Sequence, residues 1–423
     1  MSSAISSVLK GSVKAPPSKS VSQRALACAF LAEGTTVLTH FGYSDDEKAA
    51  LAILGQLGCR IETTQDTLKI TPPKQLKDKI IINCGESGLC ARLFIPILMS
   101  FDIETTIEGE GTLLDRPMTS FQQVFKQLEI AHKWKDEKLP LKIKGHKTEK
   151  TVVVDGSLSS QFVTGMIFYV LLSTKNKEGE LRIENLKSIP YVELTVDVLK
   201  KFGVDMSFSS KNITIPAAQT IKPTKIDIEG DWSGASNFLV AAALMGDIEV
   251  SNLNLNSKQA DIKILEALTS FGAKIERKEN SIRVREFEKH PFDFDATHCP
   301  DLFPILTVLA CFTTGTSSIK GVHRLKHKES DRAMALINEL KKLDVEINVI
   351  EDKLIIISPI NWTHLNDKKQ TFTLETYNDH RLVMAFSILA LKLNILMQIK
   401  NLNSVNKSYP GFFNDLRLIL NKK

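Results

Sequence analysis

The sequence lacks most of the marks by which a function is usually recognised. It has no Walker A loop and no Gly-x-Gly-x-x-Gly run after a predicted strand, so neither a phosphate loop nor a dinucleotide-binding turn can be read from it. Its six cysteines, Cys28, Cys59, Cys84, Cys90, Cys299 and Cys311, form no Cys-x-x-Cys pair. Scattered cysteines in a long chain fit a reduced, cytoplasmic protein rather than a disulfide scaffold. His323 and His327 have i, i+4 spacing but no third ligand nearby, so no metal site is expected. Residues 1–10 show neither a basic n-region nor an apolar h-region, so no secretory signal is expected. Long hydrophobic runs are missing too. Residues 89–99, among the longest, include Arg92 and fall short of a membrane span. Finally, there is little excess of either charge: 54 Lys and Arg against 49 Asp and Glu leave +5. That is too mild for the footprint of a nucleic-acid binder.

What remains is the composition of a folded protein, 43% hydrophobic and 24% charged. A chain of 423 residues exceeds what one core usually organises, so two or more domains are expected. A mild positive excess suits small anionic substrates if basic residues converge on one cleft.

The chain repeats itself. An amphipathic helix, a turn, a strand, a polar turn and a second strand recur about every 70 residues, with helix ends at Gly58, Glu129, Gly203, Gly272 and Asp344. Gly at three of these five positions predicts a left-handed residue closing each helix, and Asp tolerates that conformation better than most. Hairpins are predicted around Asp66, around Lys211 and Asn212, and around Asp352. A second phrase is interleaved: a small polar cluster running straight into a helix rich in Ala, Leu and Phe. It occurs at residues 18–31, 86–99, 159–172, 233–244, 300–311 and 379–391.

Six such units nearly fill the chain, and the sixth is cut short after Leu420. The segment 5–13 is expected to supply its missing strand. The expected fold is therefore α/β, in the α+β sense: two similar globular domains, each of three βαβαββ-like units, joined by two hinge crossings. One domain would be discontinuous, residues 1–16 plus 229–423, and the other would be the insertion 17–228, with the substrate site in the cleft between them. Like units should aim the N-termini of their second-phrase helices the same way. Each such end carries orphan N–H groups and about half a positive charge, and several together make an anion site.

Four clusters carry chemistry. The first, Pro17-Ser18-Lys19-Ser20-Val21-Ser22-Gln23-Arg24, puts hydroxyls, a Lys and an Arg at a helix start. The second, Ser159-Ser160-Gln161, crowds neutral donors at another. The third is Lys326-His327-Lys328-Glu329-Ser330-Asp331-Arg332, with more charge than any cap needs. Glu329 stands between cations there, and could donate a proton only if burial outweighs them. The fourth, Asp379-His380-Arg381, sets a cation against the positive end of an apolar helix, a local conflict of the kind found at functional sites. Singly, each could be a capped helix or a solvated charge cluster. Smaller signals are Asp115-Arg116-Pro117, Lys407-Ser408-Tyr409-Pro410 and the turn Gly85-Glu86-Ser87-Gly88, where Gly88 allows close approach of backbone.

In this order the clusters resemble the 5-enolpyruvylshikimate-3-phosphate synthase family of enolpyruvyl transferases, from Lys10 to Phe413. The resemblance implies transfer of the enolpyruvyl group of phosphoenolpyruvate to the 5-hydroxyl of 3-phosphoshikimate by addition and elimination. It implies no cofactor and no metal, small-molecule partners only, and a cytoplasmic monomer bound to neither nucleic acid nor membrane. It also implies residue roles. Lys19, Ser20, Arg24, Ser159, Ser160, Gln161, Ser188, Tyr191, Asp301 and Lys328 would hold 3-phosphoshikimate. Lys19, Gly88, Arg116, Gln161, Arg332, Arg381 and Lys407 would hold phosphoenolpyruvate. Asp301, Glu329 and Lys19 would move protons, Asp301 as base and Glu329 as acid, with the pKa of Lys19 expected to fall among the arginines. Arg suits both anions because its planar fork binds carboxylate and phosphate in pairs of bonds. The chain departs from the family pattern at Pro17, Gln23, Leu93 and Glu86, the last placing a carboxylate close to an anion site. Two alternatives stand beside this one: the sister transferase acting on UDP-N-acetylglucosamine, whose reactive loop Cys has no counterpart in residues 102–117, and a non-catalytic anion-binding protein of the same fold.

Overall fold

A computed structural model describes residues 9–64, 67–148, 151–157, 159–174, 176–326, 328–351, 353–357, 360, 365 and 371–420. The chain divides into two compact units, Met1–Pro16 with Gly230–Lys423, and Pro17–Glu229. The fold is the mixed α/β arrangement expected.

In the unit 17–229, three four-stranded sheets repeat one plan. The clearest is β5 (Lys79–Asn83), α3 (Gly88–Met99), β6 (Glu104–Glu108), α4 (Ser120–Gln127), β7 (Ala131–Lys135) and β8 (Lys138–Lys144). Here β5 and β6 run parallel, β8 is antiparallel to β6, and β7 closes the order β5-β6-β8-β7. A helical crossover between parallel strands followed by a hairpin is what the βαβαββ reading requires. The same plan builds β9 (Val152–Asp155), α5 (Ser160–Ser173), β10 (Gly179–Glu184), α6 (Ile189–Lys201), β11 (Ser207–Phe208) and β12 (Asn212–Ile215). In the first sheet, α1 (Lys19–Leu31), β2 (Thr36–Thr39), α2 (Asp45–Gln56), β3 (Arg60–Thr63) and β4 (Thr67–Thr71) are completed by β13 (Lys225–Asp227), which lies parallel to β2. Strand β8 shows the alternation: Leu139, Leu141 and Ile143 are buried while Lys138, Lys142 and Lys144 are not.

The unit 1–16 with 230–423 uses the same plan. Its first sheet joins α7 (Trp232–Met245), β14 (Gly246–Ser251), α8 (Ile264–Phe271), β15 (Lys274–Arg277) and β16 (Ser281–Arg285) to β1 (Leu9–Lys14), parallel to β14. Its second contains β17 (Asp293–Asp295), α9 (Phe303–Ala310), β18 (Ser317–Lys320), α10 (Arg332–Lys341), β19 (Glu346–Ile350) and β20 (Lys353–Ile357). Its third has, among the described residues, two parallel strands, β21 (Phe372–Leu374) and β22 (Met397–Ile399), around α11 (His380–Leu393), followed by α12 (Phe412–Ile419).

One expectation holds only at its edge. Residues 9–14 pair in parallel with 246–251 in the fourth unit, and toward the sixth they make, among the described residues, one antiparallel bridge, Leu9 to Leu420. The reason is visible in the plan: every sheet needs a parallel strand on the far side of its crossover helix. In the sheets of α1 and α7 that strand comes from the far side of a domain crossing, so β1 serves α7 and β13 serves α1. The predicted hairpins form as β3–β4, β11–β12 and β19–β20; Asp66, Asp352 and residues 5–8 lie outside the described residues. All five predicted helix-closing residues have positive φ: Gly58 +89°, Glu129 +57°, Gly203 +78°, Gly272 +100° and Asp344 +57°. No helix among the described residues is long and apolar enough to cross a membrane.

Candidate active site

The second-phrase helices start where the polar clusters sit, but they are not all capped alike. Ser87 accepts from Cys90 N–H, Asp231 from Gly234 N–H and Asp379 from Arg381 N–H. Ser18 and Ser159, at the starts of α1 and α5, make no side-chain cap bond. The helix ends of these two clusters keep donors that a side-chain cap would have consumed.

In the unit 17–229, Lys19 Nζ lies 2.9 Å from Asp46 Oδ2 on α2, with both side chains largely buried. Sequence reasoning missed Asp46: it surrounded Lys19 with arginines, whereas here an aspartate partners its ammonium. Arg24 is fully buried and held by neutral oxygens, with Nε donating to Thr195 Oγ1 at 2.9 Å and Nη1 to Ser20 O at 2.8 Å. Its Nη2 reaches Thr164 Oγ1 and Tyr191 O. Burial pushes its pKa down to about 10, against a smaller opposing pull from Tyr191. Ser160 and Ser188 are buried; Ser20, Ser159, Gln161 and Tyr191 are partly exposed. Ser188 stands in a left-handed turn before Pro190 at the start of α6.

Two more cations gather at the start of α3. Arg92 Nη1 donates to Gly88 O at 3.3 Å and reaches Gln161 Oε1 at 3.5 Å, while Nη2 donates to Pro117 O. A Cβ on Gly88 would lie 2.5 Å from Arg116 Nη1 and 2.9 Å from Arg92 Nη1. Only glycine therefore lets both guanidiniums rest against this turn.

In the other unit, Arg332 organises the charged cluster. Its side chain is 1% exposed. Nε donates to Asp379 Oδ2 at 2.8 Å, Nη1 to Asp301 Oδ1 at 2.7 Å, and Nη2 to Glu329 Oε2 at 2.8 Å and Asp379 Oδ1 at 3.3 Å. Burial acts to lower its pKa, but Asp379, Glu329 and Asp301 outweigh it and hold the guanidinium charged. Lys328 Nζ is 3.3 Å from Asp301 Oδ1, and Arg381 Nη2 is 3.8 Å from Asp301 Oδ2. Burial alone would raise the pKa of Asp301; Lys328, Arg332 and Arg381 overcome it and keep the carboxyl well below the usual range. Burial in turn lowers the pKa of Lys328.

Arg381 is 5% exposed, and its Nε and Nη1 are buried with no hydrogen-bond partner among the described residues. Lys407, also buried, donates to Asn378 O at 2.9 Å, tying itself to the turn that presents Asp379 and Arg381. Asp261 is a further carboxyl that no motif pointed to. It is 1% exposed, accepts a hydrogen bond from Ser233 Oγ, and its Oδ1 has no partner among the described residues. Burial, reinforced by Asp301 and Asp231 and opposed by Arg381, pushes its pKa up to about 7. His327 lies outside the described residues, among which no three His, Cys, Asp or Glu side chains are grouped to hold a metal.

Within the unit 17–229, Ser20, Arg24 and Tyr191 share hydrogen bonds, and Gly88, Arg92, Arg116 and Gln161 meet at the start of α3; in the other unit Arg332 and Asp301 link Glu329, Lys328 and Arg381, with Lys407 on the neighbouring turn. Comparison with known proteins gives a consistent picture. Residues 4–416 match the sequence model of the family described as EPSP synthase (3-phosphoshikimate 1-carboxyvinyltransferase). A Clostridium acetobutylicum protein named 3-phosphoshikimate 1-carboxyvinyltransferase is 38% identical over 418 residues, covering 97% of this chain and 95% of its own. One of the same name from Pyrococcus abyssi is 36% identical over 417 residues, covering 98% and 96%. Among solved structures, EPSP synthase from Acinetobacter baumannii superposes with a TM-score of 0.78 at 23% identity, over 97% of this chain and 96% of that one. The enolpyruvyl transferase NikO from Streptomyces tendae gives 0.73 at 14% identity, over 97% and 95%, a likeness of fold.

Proposed function

The chain belongs to the EPSP synthase (3-phosphoshikimate 1-carboxyvinyltransferase) family, and on that premise we propose that it transfers the enolpyruvyl group of phosphoenolpyruvate to the 5-hydroxyl of 3-phosphoshikimate, releasing phosphate. The step belongs to chorismate and aromatic amino-acid biosynthesis. One observation carries the residue assignment: Arg381, buried, with two donor nitrogens unpartnered among the described residues, beside an ionised Asp301. Buried donors without partners are costly, and an anionic substrate completes them.

Phosphoenolpyruvate is held by Arg381, Lys407 and Arg332, with Arg116 against Gly88, and with Lys19 and Gln161. Arg332 already spends its donors on Asp301, Glu329 and Asp379, so its part is to keep those carboxylates oriented and to add charge. The uncapped starts of α1 and α5, with Ser20, Ser159, Ser160, Gln161, Ser188 and Tyr191, support binding of 3-phosphoshikimate. Lys19, Lys328 and Asp301 join them. Arg24, whose donors are internally satisfied, contributes its charge beneath the start of α1.

The family resemblance assigns one role to each carboxyl: Asp301 is the ionised one, whereas Glu329 accepts from Arg332 at 2.8 Å and must take up a proton before it can act as acid. Asp301, held ionised, accepts the 5-hydroxyl proton as that oxygen bonds to C2 of phosphoenolpyruvate. Glu329 in its protonated form delivers a proton to C3, so the methylene becomes a methyl and a tetrahedral ketal results. Elimination returns a proton from that methyl to a carboxylate while the C2–O bond to phosphate breaks, and phosphate leaves with the bonding pair. Lys19, on its Asp46 partner, balances charge between the two substrates. None of these assignments calls on a second copy, and the protein acts as a cytoplasmic monomer on two soluble metabolites.

Purified protein mixed with both substrates and excess chelator releases phosphate. UDP-N-acetylglucosamine in place of 3-phosphoshikimate gives none. Folded protein that releases no phosphate from the first mixture, or more from the second, overturns the proposal.

A further inference from the structure

Glu86 stands two residues before Gly88, where a carboxylate beside an anion site looks misplaced. The structure shows where it turns. Glu86 Oε2 accepts from both Thr112 N–H and Thr112 Oγ1–H, each at 2.9 Å. Thr112 belongs to the single 3-10 turn Gly111–Asp115, and the residue that follows is Arg116, whose N–H donates to Leu113 O at 3.2 Å. The two segments are laced at further points: Glu110 N–H donates to Gly85 O at 2.7 Å, and Asn83 Nδ2 to Glu110 Oε1 at 2.7 Å. Gly111 leaves room for the carboxylate. It has a φ of +50°, and a Cβ there would lie 2.5 Å from the Glu86 carboxyl carbon. At the end of this laced segment the Arg116 guanidinium sits close against Gly88.

We propose that Glu86 is a positioning residue for Arg116: clasped to Thr112, it fixes the 109–116 loop so that the Arg116 guanidinium is held at the Gly88 turn to receive the phosphorylated enol ester. In this role Glu86 acts through Arg116 rather than on a substrate. Its carboxylate accepts from a backbone N–H and a hydroxyl, which offsets the repulsion a free carboxylate would exert on an anion. This inference rests on the activity proposed above, and wild-type phosphate release separates the two, since a silent wild type defeats the activity rather than the clasp.

The experiment measures kcat and the KM of each substrate for wild type, Glu86→Ala, Glu86→Gln and Thr112→Val, with melting temperatures alongside. Glu86→Ala raises the KM for phosphoenolpyruvate by about tenfold while the KM for 3-phosphoshikimate stays within about twofold, because only one substrate loses a preset partner. Glu86→Gln keeps an oxygen that accepts from both donors and returns the KM to near wild type. Thr112→Val removes the hydroxyl alone and raises the same KM by about threefold. The idea fails if Glu86→Ala leaves that KM unchanged, or raises both KM values together with a lower melting temperature. Should Glu86→Ala not fold, Thr112→Val decides: an unaltered KM for phosphoenolpyruvate rejects the clasp.

Discussion

Replacing Arg332 by Met tests the charged cluster most directly. Met roughly fills the volume of the aliphatic stem but takes away the donors now shared among Asp301, Glu329 and Asp379. Asp301 and Glu329 are about one-fifth exposed and can turn to water; Asp379 is 0% exposed and cannot. Stranding one buried charge costs about 3–5 kcal/mol. For a domain of 150–250 residues, each kcal/mol shifts the melting temperature by roughly 2–4 °C, so the expected loss at pH 7.5 is roughly 6–20 °C. The pH dependence carries the sign. In the wild type, Asp301 has a depressed pKa, so its stabilisation is present above the ordinary carboxyl range and lost only in acid. In the variant, a buried carboxylate is left without its cation, and only protonation relieves that charge, so acid favours the variant relative to wild type. The deficit against wild type therefore narrows between pH 7.5 and pH 5. Differential scanning fluorimetry across that range reads both effects. A deficit below about 3 °C, or one that does not change with pH, would refute the view that Arg332 neutralises a buried carboxylate.

Two further outcomes are expected. Arg381→Ala weakens phosphoenolpyruvate by about 2–5 kcal/mol, the scale for losing one side of a desolvated charge pair; steady-state KM and direct titration check it, and unchanged kinetics removes Arg381 from the site. Asp261→Asn raises the melting temperature above pH 7 and flattens its pH dependence from pH 5 to 8. The pKa of Asp261 is pushed up to about 7, so the native residue loses stability as pH rises through that value; a parallel pH profile for the variant contradicts this.

Local features were legible in the sequence; the non-local ones were not. Gly58, Glu129, Gly203, Gly272 and Asp344 share one conformational demand, which a helix end imposes on whatever residue stands there, so their spacing exposed the repeat. The six second-phrase helices begin within two or three residues of their polar clusters for the same reason, with residues 300–302 forming a 3-10 turn before α9. Strand exchange is different. Nothing in residues 9–14 says which of several parallel partners they will join, because parallel pairing is settled by the crossover helix and not by the strand. Capping was only half legible: Ser at a helix start predicts a cap bond, yet Ser18 and Ser159 make none while Ser87 does. Charge partners were the least legible. Asp46 meets Lys19 across 27 positions, and Arg332 meets Asp379 across 47. Glu86 looked like a liability beside an anion until Thr112, 26 residues on, was seen to take it up.

The placement of β1 affects how the molecule is assembled. Its partner β14 leaves the ribosome more than two hundred residues later, after the whole of 17–229, so β1 must wait, unpaired, while another unit is made. Leu9 and Val13, which end up buried, are exposed throughout that interval. Closing so long a loop carries a large entropic cost but grows only slowly with length, and it falls late on the folding route. Cutting the chain before residue 15 would remove the strand that covers one edge of a finished sheet, and that open edge would be a ready place for aggregation to begin.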